Sequence, residues 1–300
     1  MPKVVVTGGA GFIGSYLVKA LCAKGYEVEV IDNLSSGKKE NLPTGVTLHT
    51  IDINETEKLK AVFKGAHYVF HLAAIPSVQY SIEHPEETNR VNADGTLAVL
   101  SAARGAGVKR VIYSASSAVY GDAKELPIKE TAQAQPKSPY ALQKYIGELY
   151  CKLFASVYGL ETVCLRYFNV YGAGQPSVGA YASVIAKFLD LKKQGKPLGI
   201  VGDGNQTRDF VHVSDIARAN MFAAESARVG KGESINIGTG IRTSVNDIAT
   251  IIGGVTEKMP PRIEPKDSLA DISLAKFLLD WQPEISLGNG LKMLLQNKEK

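Results

Sequence analysis

Apolar and polar residues follow two different periods in the first third of the chain. Short apolar runs that end in polar residues lie at 4–6, 26–31, 46–51 and 66–72. Between them lie segments in which apolar residues recur every three or four positions, as at 12–24 and 54–63. The first pattern is typical of buried strands and the second of amphipathic helices. Their alternation predicts an α/β fold, a doubly wound parallel sheet of the Rossmann type.

The alternation becomes less regular after Tyr167. One long helix is expected before this point, at 85–106, and further helices after it, at 244–252, 272–279 and 287–295. Residues 209–237 are expected to return to the first sheet. The pattern therefore predicts a Rossmann domain formed by 1–168 and 209–237, interleaved with a smaller α/β domain formed by 169–208 and 238–300.

Three glycines follow the first predicted strand at a spacing that is typical of dinucleotide-binding loops. They are Gly8, Gly11 and Gly14, in the run 7–14. Glycines in this pattern let the chain turn sharply, approach a pyrophosphate and pack the next helix against the sheet. An ordinary turn is the alternative, because the chain contains 29 glycines.

An acidic residue stands where such a loop predicts one. Asp32 ends the second predicted strand, near the distance of about 20 residues at which a carboxylate binds the adenosine ribose hydroxyls. A carboxylate there repels a 2′-phosphate, which favours NAD over NADP, although Lys38 and Lys39 weaken this preference slightly. The alternative is that Asp32 only caps a turn.

Two more loops follow predicted strands at the same edge of the sheet, at 52–53 and 72–74. A doubly wound sheet binds its ligand at this edge. His71 ends the fourth predicted strand inside an apolar run, so a structural role is favoured over a catalytic one.

A tyrosine and a lysine are expected on one helix face near this edge. Ser138 and Pro139 predict the start of a helix, which places Tyr140 and Lys144 four residues apart on it. An ammonium group beside a phenol favours the phenolate, lowering a pKa that is ordinarily about 10. Such a tyrosine is a general base for an alcohol. Hydroxyl side chains also follow the fifth predicted strand, at 114–117.

The composition argues against several classes of protein. The net charge is +4 and the basic residues are scattered, so no nucleic acid partner is expected. No apolar run approaches the roughly 18 residues that a membrane helix needs, and we expect no leader, no membrane partner and a cytoplasmic location. Cys22, Cys151 and Cys164 stand in apolar sequence and are expected to be reduced core thiols, with no metal site.

Taken together, these motifs resemble the extended short-chain dehydrogenase/reductases, and among them the NAD-dependent nucleotide-sugar epimerases and dehydratases. The matching segments are 7–14, 32–37, 114–121, 140–144, 165–172, 202–213, 236–238 and 269–272. The resemblance covers essentially the whole chain and is closest to the UDP-glucose 4-epimerases.

The resemblance implies a catalytic set of Ser116, Tyr140 and Lys144. Tyr140 would take the proton of the sugar 4-hydroxyl while the hydrogen at C4 passes to NAD as hydride. Lys144 would bind the nicotinamide ribose, and Ser116 would hydrogen-bond O4. Return of the hydride to the other face of the 4-keto sugar would invert C4.

The loops and the resemblance together give the expected binding residues. NAD is expected at Gly8, Gly11, Phe12, Ile13, Gly14, Asp32, Asn33, Ser36, Gly37, Asp52, Ile53, Leu72, Ala73, Ala74, Asn92, Ser114, Tyr140, Lys144 and Tyr167. The UDP-sugar is expected at Ser116, Tyr140, Asn169, Arg208, Arg262 and Ser268. Turn chemistry is the alternative for Asn169 and a surface ion pair for Arg208.

The same resemblance distinguishes epimerisation from the dehydration and decarboxylation reactions of the family. Dehydratases of the family carry an Asp-Glu pair where this chain has Ser117 and Ala118, and the sugar-acid decarboxylases carry a glutamate at the position of Ala118. The expected activity is therefore 4-epimerisation of UDP-hexoses, UDP-glucose and UDP-galactose, by a homodimer.

Three alternatives stay open. The small side chain of Ser268 is compatible with a UDP-N-acetylglucosamine 4-epimerase or an enzyme with both activities. A nucleotide-sugar reductase or dehydrogenase shares the same hydride chemistry. A non-catalytic NAD-sensing protein could have the same fold.

Overall fold

The computed structural model describes residues 2–177, 179, 183–260 and 266–296. Its strands are β1 Lys3–Thr7, β2 Glu27–Ile31, β3 Thr47–His49, β4 Ala66–His71, β5 Arg110–Ser116, β6 Glu161–Tyr167, β7 Asn169–Tyr171, β8 Leu198–Val201, β9 Thr207–His212, β10 Lys231–Ile237, β11 Arg242–Ser244 and β12 Thr256–Met259. Its α-helices are α1 Phe12–Ala23, α2 Thr56–Phe63, α3 Val78–Glu83, α4 Pro85–Asn89, α5 Gly95–Gly105, α6 Pro139–Tyr158, α7 Val184–Lys193, α8 Val213–Glu225, α9 Val245–Ile252, α10 Ser273–Leu279 and α11 Leu287–Leu295.

Seven parallel strands form the main sheet, in the order β10-β6-β5-β4-β1-β2-β3. The sequential order of the strands runs outward in opposite directions on the two sides of β1, as in a doubly wound sheet. Two apolar clusters cover its faces: one includes Val4, Val6 and Val30, and the other Val5 and Val69. This arrangement confirms the predicted α/β Rossmann fold.

Smaller sheets lie beyond the carboxyl ends of these strands. One has the order β11-β9-β7 and the other pairs β12 with β8. They share an apolar cluster with α7, α9 and α11 that includes Phe188, Phe210, Ile248 and Leu291. The chain passes from the main sheet to this region after β6 and returns with α8, which packs in the cluster of Val4 and Val6, and with β10, which pairs with β6. The return begins later than the expected residue 209, because β9 pairs with β7 and β11 in a smaller sheet.

Two segments differ from the sequence-based expectation. The helix expected at 85–106 consists of α4, a π-helical turn at Arg90–Asp94 and α5. Helix α10 and Trp281 belong to the apolar cluster on the main sheet, although the predicted boundary placed them in the second domain. The hydrophobic period does not distinguish a π turn from an α-helix or identify the sheet that a helix covers. Among the described helices, none has the length and apolar character needed to cross a membrane.

Candidate active site

A cavity of about 1700 Å³ lies between the carboxyl edge of the main sheet and the smaller sheets. Residues of both regions line it, as ligand binding at the open edge of a doubly wound sheet requires. Its lining includes these predicted residues: Gly8, Gly11, Phe12, Ile13, Gly14, Asp32, Asn33, Ser36, Asp52, Ile53, Leu72, Ala73, Ala74, Ser114, Ser116, Tyr140, Lys144, Tyr167, Asn169, Arg208 and Ser268. Arg262 lies outside the described residues.

The glycine loop has the geometry of an anion-binding turn. Gly8 has φ of +71°, in the left-handed region that favours glycine, and a Cβ at Gly14 would lie 2.1 Å from the carbonyl oxygen of Gly8. Helix α1 begins with Gly11 as its N-cap, and no side chain caps it. The N–H groups of its first turn are therefore available to a phosphate, which fits the pyrophosphate of a dinucleotide.

Asp32 holds the loops on both sides of the predicted ribose site. Its two carboxylate oxygens accept hydrogen bonds from the backbone N–H groups of Ala10, at 3.0 Å, and Leu34, at 2.8 Å. Gly37 packs behind them, because a Cβ there would lie 2.9 Å from a carboxylate oxygen of Asp32. Gly37 is thus a packing position, outside the cavity lining, while Asp32 reaches the cavity.

Asn92 does not reach the cavity either. Its Oδ1 accepts from the backbone N–H of Ile75, at 2.8 Å, and its Nδ2 donates to the carbonyl of Ile75, at 3.1 Å, and to Gln143 Oε1, at 2.9 Å. Ile75 lines the cavity. The structure therefore places Asn92 behind the wall, where it holds the loop after β4 against helix α6.

Ser116 and Tyr140 meet at the cavity wall. Ser116 ends β5 and caps the short 3-10 turn Ser117–Tyr120, accepting from the N–H of Ala118 at 3.2 Å. Ser138 caps α6 and Pro139 begins it, as the sequence predicts. The side chains of Ser116 and Tyr140 both line the cavity, and Ser116 lowers the pKa of Tyr140. A hydroxyl of a bound alcohol could join this pair.

Lys144 is directed at the sheet. The buried ammonium donates to the carbonyl oxygen of Ser114 at 2.8 Å and lies 5.0 Å from the ring centroid of Tyr113. Burial lowers the pKa of Lys144 to about 8. Burial also raises the pKa of Tyr140, and the group that opposes this rise is Ser116. The ammonium of Lys144 is bonded to the β5 backbone in this structure, and the expectation that it lowers the pKa of Tyr140 stays a prediction.

His71 has a structural environment. Its Nδ1 is 2.8 Å from the hydroxyl of Thr7, and its Nε2 is 3.0 Å from the hydroxyl of Thr96. Burial, and then the charge of Lys144, lowers the pKa of His71 to about 3. The imidazole is consequently neutral at physiological pH and joins β1, β4 and α5, in agreement with the structural role expected for it.

The predicted substrate residues lie on adjacent segments. Asn169 donates to the carbonyl of Asp209 at 3.3 Å, and Arg208 donates to the carbonyls of Thr207 and Lys266 at 2.9 and 3.1 Å. Ser268 donates its N–H to the carbonyl of Thr207 at 3.1 Å. Strand β9 thus carries Arg208 and also holds the segment that carries Ser268.

Sequence reasoning missed two buried polar residues that support this wall. Asp209 accepts from the N–H groups of Thr239, Gly240 and Ala270, and burial raises its pKa. Asn220 on α8 is hydrogen-bonded to the hydroxyl of Tyr167. A buried polar group is costly without partners. Asn220 interrupts the apolar run 219–224 and was a signal in the sequence, whereas Asp209 follows the polar residues 205–208 and gave none.

Known proteins are similar to this chain over most of its length. The family model described as "NAD dependent epimerase/dehydratase family" matches residues 4–238. The UDP-glucose 4-epimerase of Mycolicibacterium smegmatis is 36% identical over 303 residues, covering 96% of each chain.

Two solved structures are similar over nearly the whole chain. The UDP-glucose 4-epimerase of Thermotoga maritima, solved with UDP-glucose, is 41% identical with a TM-score of 0.93, covering 98% of this chain and 97% of the other. The UDP-N-acetylglucosamine 4-epimerase of Methanobrevibacter ruminantium, solved with UDP-N-acetylmuramic acid, is 39% identical with a TM-score of 0.92, covering 99% of each.

These comparisons confirm the predicted cofactor, NAD, and the predicted enzyme class, an isomerase. The named relatives share activity of the UDP-sugar 4-epimerase type and differ in the sugar. The family match spans well over half of the chain, and the relatives match from end to end. The chain belongs to the NAD-dependent epimerase/dehydratase family.

Proposed function

We propose that this protein is an NAD-dependent 4-epimerase of UDP-hexoses that interconverts UDP-glucose and UDP-galactose. The observation that carries the proposal is that Ser116 and Tyr140 line the same cavity as the glycine loop and Asp32. A proton acceptor for an alcohol and a dinucleotide-binding loop therefore face one space. The cavity exceeds the roughly 300–1,000 Å³ of ordinary small-molecule sites, as a site for both a dinucleotide and a nucleotide sugar requires.

The proposed roles follow from the positions of the side chains. Gly8, Gly11, Gly14 and Asp32 would hold NAD, which when bound supplies the acceptor and donor for the hydrogen at C4. Tyr140 removes the proton of the 4-hydroxyl and later returns it. Ser116 stabilises the tyrosinate by donating a hydrogen bond, which is the direction of its effect on the pKa of Tyr140.

The serine turn favours epimerisation over elimination or decarboxylation. Ser117 and Ala118 both line the cavity, and neither side chain can act as a general acid at neutral pH. Asp122 also lines the cavity, and its carboxylate lies 3.7 Å from Lys137 Nζ. Inversion at C4 needs no further acid, because Tyr140 handles the single proton that moves.

Activity on UDP-N-acetylglucosamine is the second candidate. Ser268 lines the cavity, and its small side chain leaves room for an N-acetyl group. One similar solved structure is a UDP-N-acetylglucosamine 4-epimerase. We infer that the pocket admits the acetylated sugar as well as the plain hexose.

We also infer a homodimer formed through helix α6. Leu142, Leu149, Leu153 and Val157 recur at helical spacing and are between 46 and 61% exposed. An apolar stripe of this kind on a soluble enzyme is typical of an interaction surface. Replacing Leu149 and Leu153 together by Lys should yield monomers in sedimentation experiments, whereas Ile251→Lys on α9 should not. An unchanged dimer would place the interface elsewhere.

The test of the proposed function needs no added nicotinamide. The purified protein is incubated with UDP-galactose, UDP-glucose or UDP-N-acetylglucosamine, and the products are followed by NMR. The proposal expects interconversion of the 4-epimers, abolished in Tyr140→Phe while NAD stays bound. Strict dependence on added NADH, with a reduced product, would favour the reductase. NAD binding without turnover of any UDP-sugar would favour the sensing protein.

A further inference from the structure

A cluster of buried polar side chains lies outside the cavity and joins the elements that carry Ser116 and Tyr140. It consists of Tyr120, Glu148, Arg166, Ser234 and Asn236, and we call it the Tyr120 cluster. Tyr120, Glu148, Arg166 and Asn236 are at most 6% exposed. None of the five lines the cavity, so the chemistry proposed above does not use them directly.

Arg166 is the centre of the cluster. Its Nε and Nη2 donate to the two carboxylate oxygens of Glu148, at 2.9 and 2.5 Å, and its Nη1 donates to the hydroxyl of Tyr120, at 2.8 Å. The Tyr120 hydroxyl in turn donates to Oδ1 of Asn236 at 2.6 Å, and Ser234 donates to Glu148 at 2.9 Å. Buried networks in which every group has a partner are rigid, because any displacement leaves a polar group unpaired.

The cluster connects both catalytic elements. Glu148 follows Tyr140 and Lys144 at intervals of four residues on α6, so it fixes the same face of that helix to β6. Tyr120 ends the 3-10 turn that Ser116 caps. Arg166, on β6, bonds to both side chains and therefore sets the distance between the helix and the turn.

Besides the buried side chains of Val119 and Tyr120, few hydrogen bonds from the described residues hold this end of the turn. Beyond its own Gly121-to-Ala118 bond, the N–H of Gln135 donates to the carbonyl of Val119 at 2.9 Å. After Tyr120 the chain leaves abruptly, with φ of +58° at Gly121, where a Cβ would lie 2.1 Å from the carbonyl oxygen of Gln135. The ring of Tyr120 packs in a small apolar cluster with Phe168, which phenylalanine would preserve. The hydroxyl alone makes the bonds to Arg166 and Asn236.

We propose that Tyr120 is a positioning residue whose hydroxyl, through Arg166 and Asn236, holds the turn at the place where Ser116 faces the same cavity as Tyr140. The proposal rests on the proposed function, in which Ser116 supports proton transfer by Tyr140. It assigns Tyr120 no contact with the substrate. Loss of its hydroxyl should let the turn shift and move Ser116 away from Tyr140.

The test is a double-mutant cycle with Tyr120→Phe, Ser116→Ala and both together. Tyr120→Phe should lower kcat about tenfold, less than the roughly 10²-fold cost of misplacing a reacting group by 1 Å. KM for the UDP-sugar and the content of bound NAD should not change. In the Ser116→Ala background the second substitution should lower kcat no further, because Tyr120 acts through Ser116.

The pH dependence supplies a second readout. Ser116 lowers the pKa of Tyr140, so the acidic limb of the kcat profile should move to higher pH in Tyr120→Phe, as in Ser116→Ala. Asn236→Leu, which removes the acceptor of the Tyr120 hydroxyl, should give the same shift. If Tyr120→Phe does not fold, Asn236→Leu still tests the proposal.

Two control variants separate positioning from general destabilisation. Tyr26→Phe removes a hydroxyl bond to Glu225 at the opposite edge of the sheet. Arg110→Lys replaces a buried guanidinium and so removes hydrogen bonds to the carbonyls of Ala223 and Ala224. The second should lower the thermal midpoint, and neither should change kcat or its pH profile.

Additive losses in the double variant, a change confined to KM or NAD content, or an unchanged kcat in Tyr120→Phe would each overturn the proposal. Failure of the proposed function would look different, because the wild-type protein itself would then not interconvert any UDP-sugar. In that case the near-ultraviolet titration of Tyr140, taken as the difference from Tyr140→Phe, still tests the positioning. An identical titration in Tyr120→Phe would contradict it.

Discussion

The ammonium of Lys144 donates a 2.8 Å hydrogen bond to the backbone carbonyl of Ser114, two residues before the predicted catalytic serine. This bond attaches α6 to the end of β5 at the level of the active site. It also buries a cation, and burial lowers the pKa of Lys144 to about 8. Lys144 therefore affects the stability of the site.

The first prediction concerns stability and pH. In the unfolded chain Lys144 has its ordinary pKa of 10.5, so between about 8 and 10.5 the unfolded state holds more of this proton than the native state. Native stability from this group therefore rises with pH across that window, by about 3 kcal/mol in total. Lys144→Met should lack this contribution. Urea unfolding of the wild-type protein and of Lys144→Met across this pH window measures the difference. If the free energy of unfolding changes equally with pH in both, the lowered pKa of Lys144 is contradicted.

The second prediction concerns the choice of cofactor. Asp32→Ala removes the acceptor of the Ala10 and Leu34 N–H groups and the negative charge at the predicted ribose site. Leaving a buried N–H group without an acceptor costs about 1–3 kcal/mol of free energy. NAD should bind roughly 10- to 100-fold more weakly, and NADP should lose much less affinity. Isothermal titration with both dinucleotides checks this, with Asp32→Asn as the variant that keeps one oxygen. Equal losses for both would argue against an interaction of Asp32 with the ribose.

The third prediction concerns the glycine loop. Gly14→Ala places a Cβ 2.1 Å from the carbonyl oxygen of Gly8, and the loop must move to accept it. Such overpacking costs about 1–3 kcal/mol, so the thermal midpoint and the retained NAD should both fall. The matched control is Gly288→Ala in helix α11, where a Cβ would meet nothing within 4 Å. It should leave NAD content unchanged. Full NAD retention in Gly14→Ala would show that the loop does not hold the cofactor.

Much of this architecture could be predicted from local patterns. Helix α11 begins and ends where the apolar period predicts, and α6 begins at the predicted Ser138 cap. The glycine loop, Asp32 and the serine turn are short motifs at the ends of strands, and their side chains reach one cavity because parallel strands end at the same edge.

What could not be predicted depends on contacts between distant segments. The direction of Lys144 follows from the packing of α6 on β5, and Asn92 is turned to Ile75 within a π-helical turn that no sequence period marks. The hydrogen bonds of the Asp209 carboxylate to the N–H groups of residues 239, 240 and 270 join segments that are far apart in the chain. Sequence periodicity carries no information about such pairings.

The fourth prediction concerns the sugar. Ser268→Tyr adds a ring at the cavity wall, where Ser268 is held by its backbone bond to Thr207. Turnover of UDP-N-acetylglucosamine should fall by at least about tenfold, because the added volume takes the place of the acetyl group. Turnover of UDP-galactose should be retained. Product formation from both sugars measures the ratio, and unchanged activity on the acetylated sugar would contradict the role of Ser268.

In the proposed reaction the hydrogen at C4 leaves and returns within one active site, without exchange with water. Epimerisation of UDP-galactose in D₂O tests this, with the product analysed by NMR and mass spectrometry. The product should be UDP-glucose that carries no deuterium at C4, formed without added nicotinamide. Deuterium at C4 of the product would contradict it, because the proton removed by Tyr140 would then have come from carbon and not from the 4-hydroxyl.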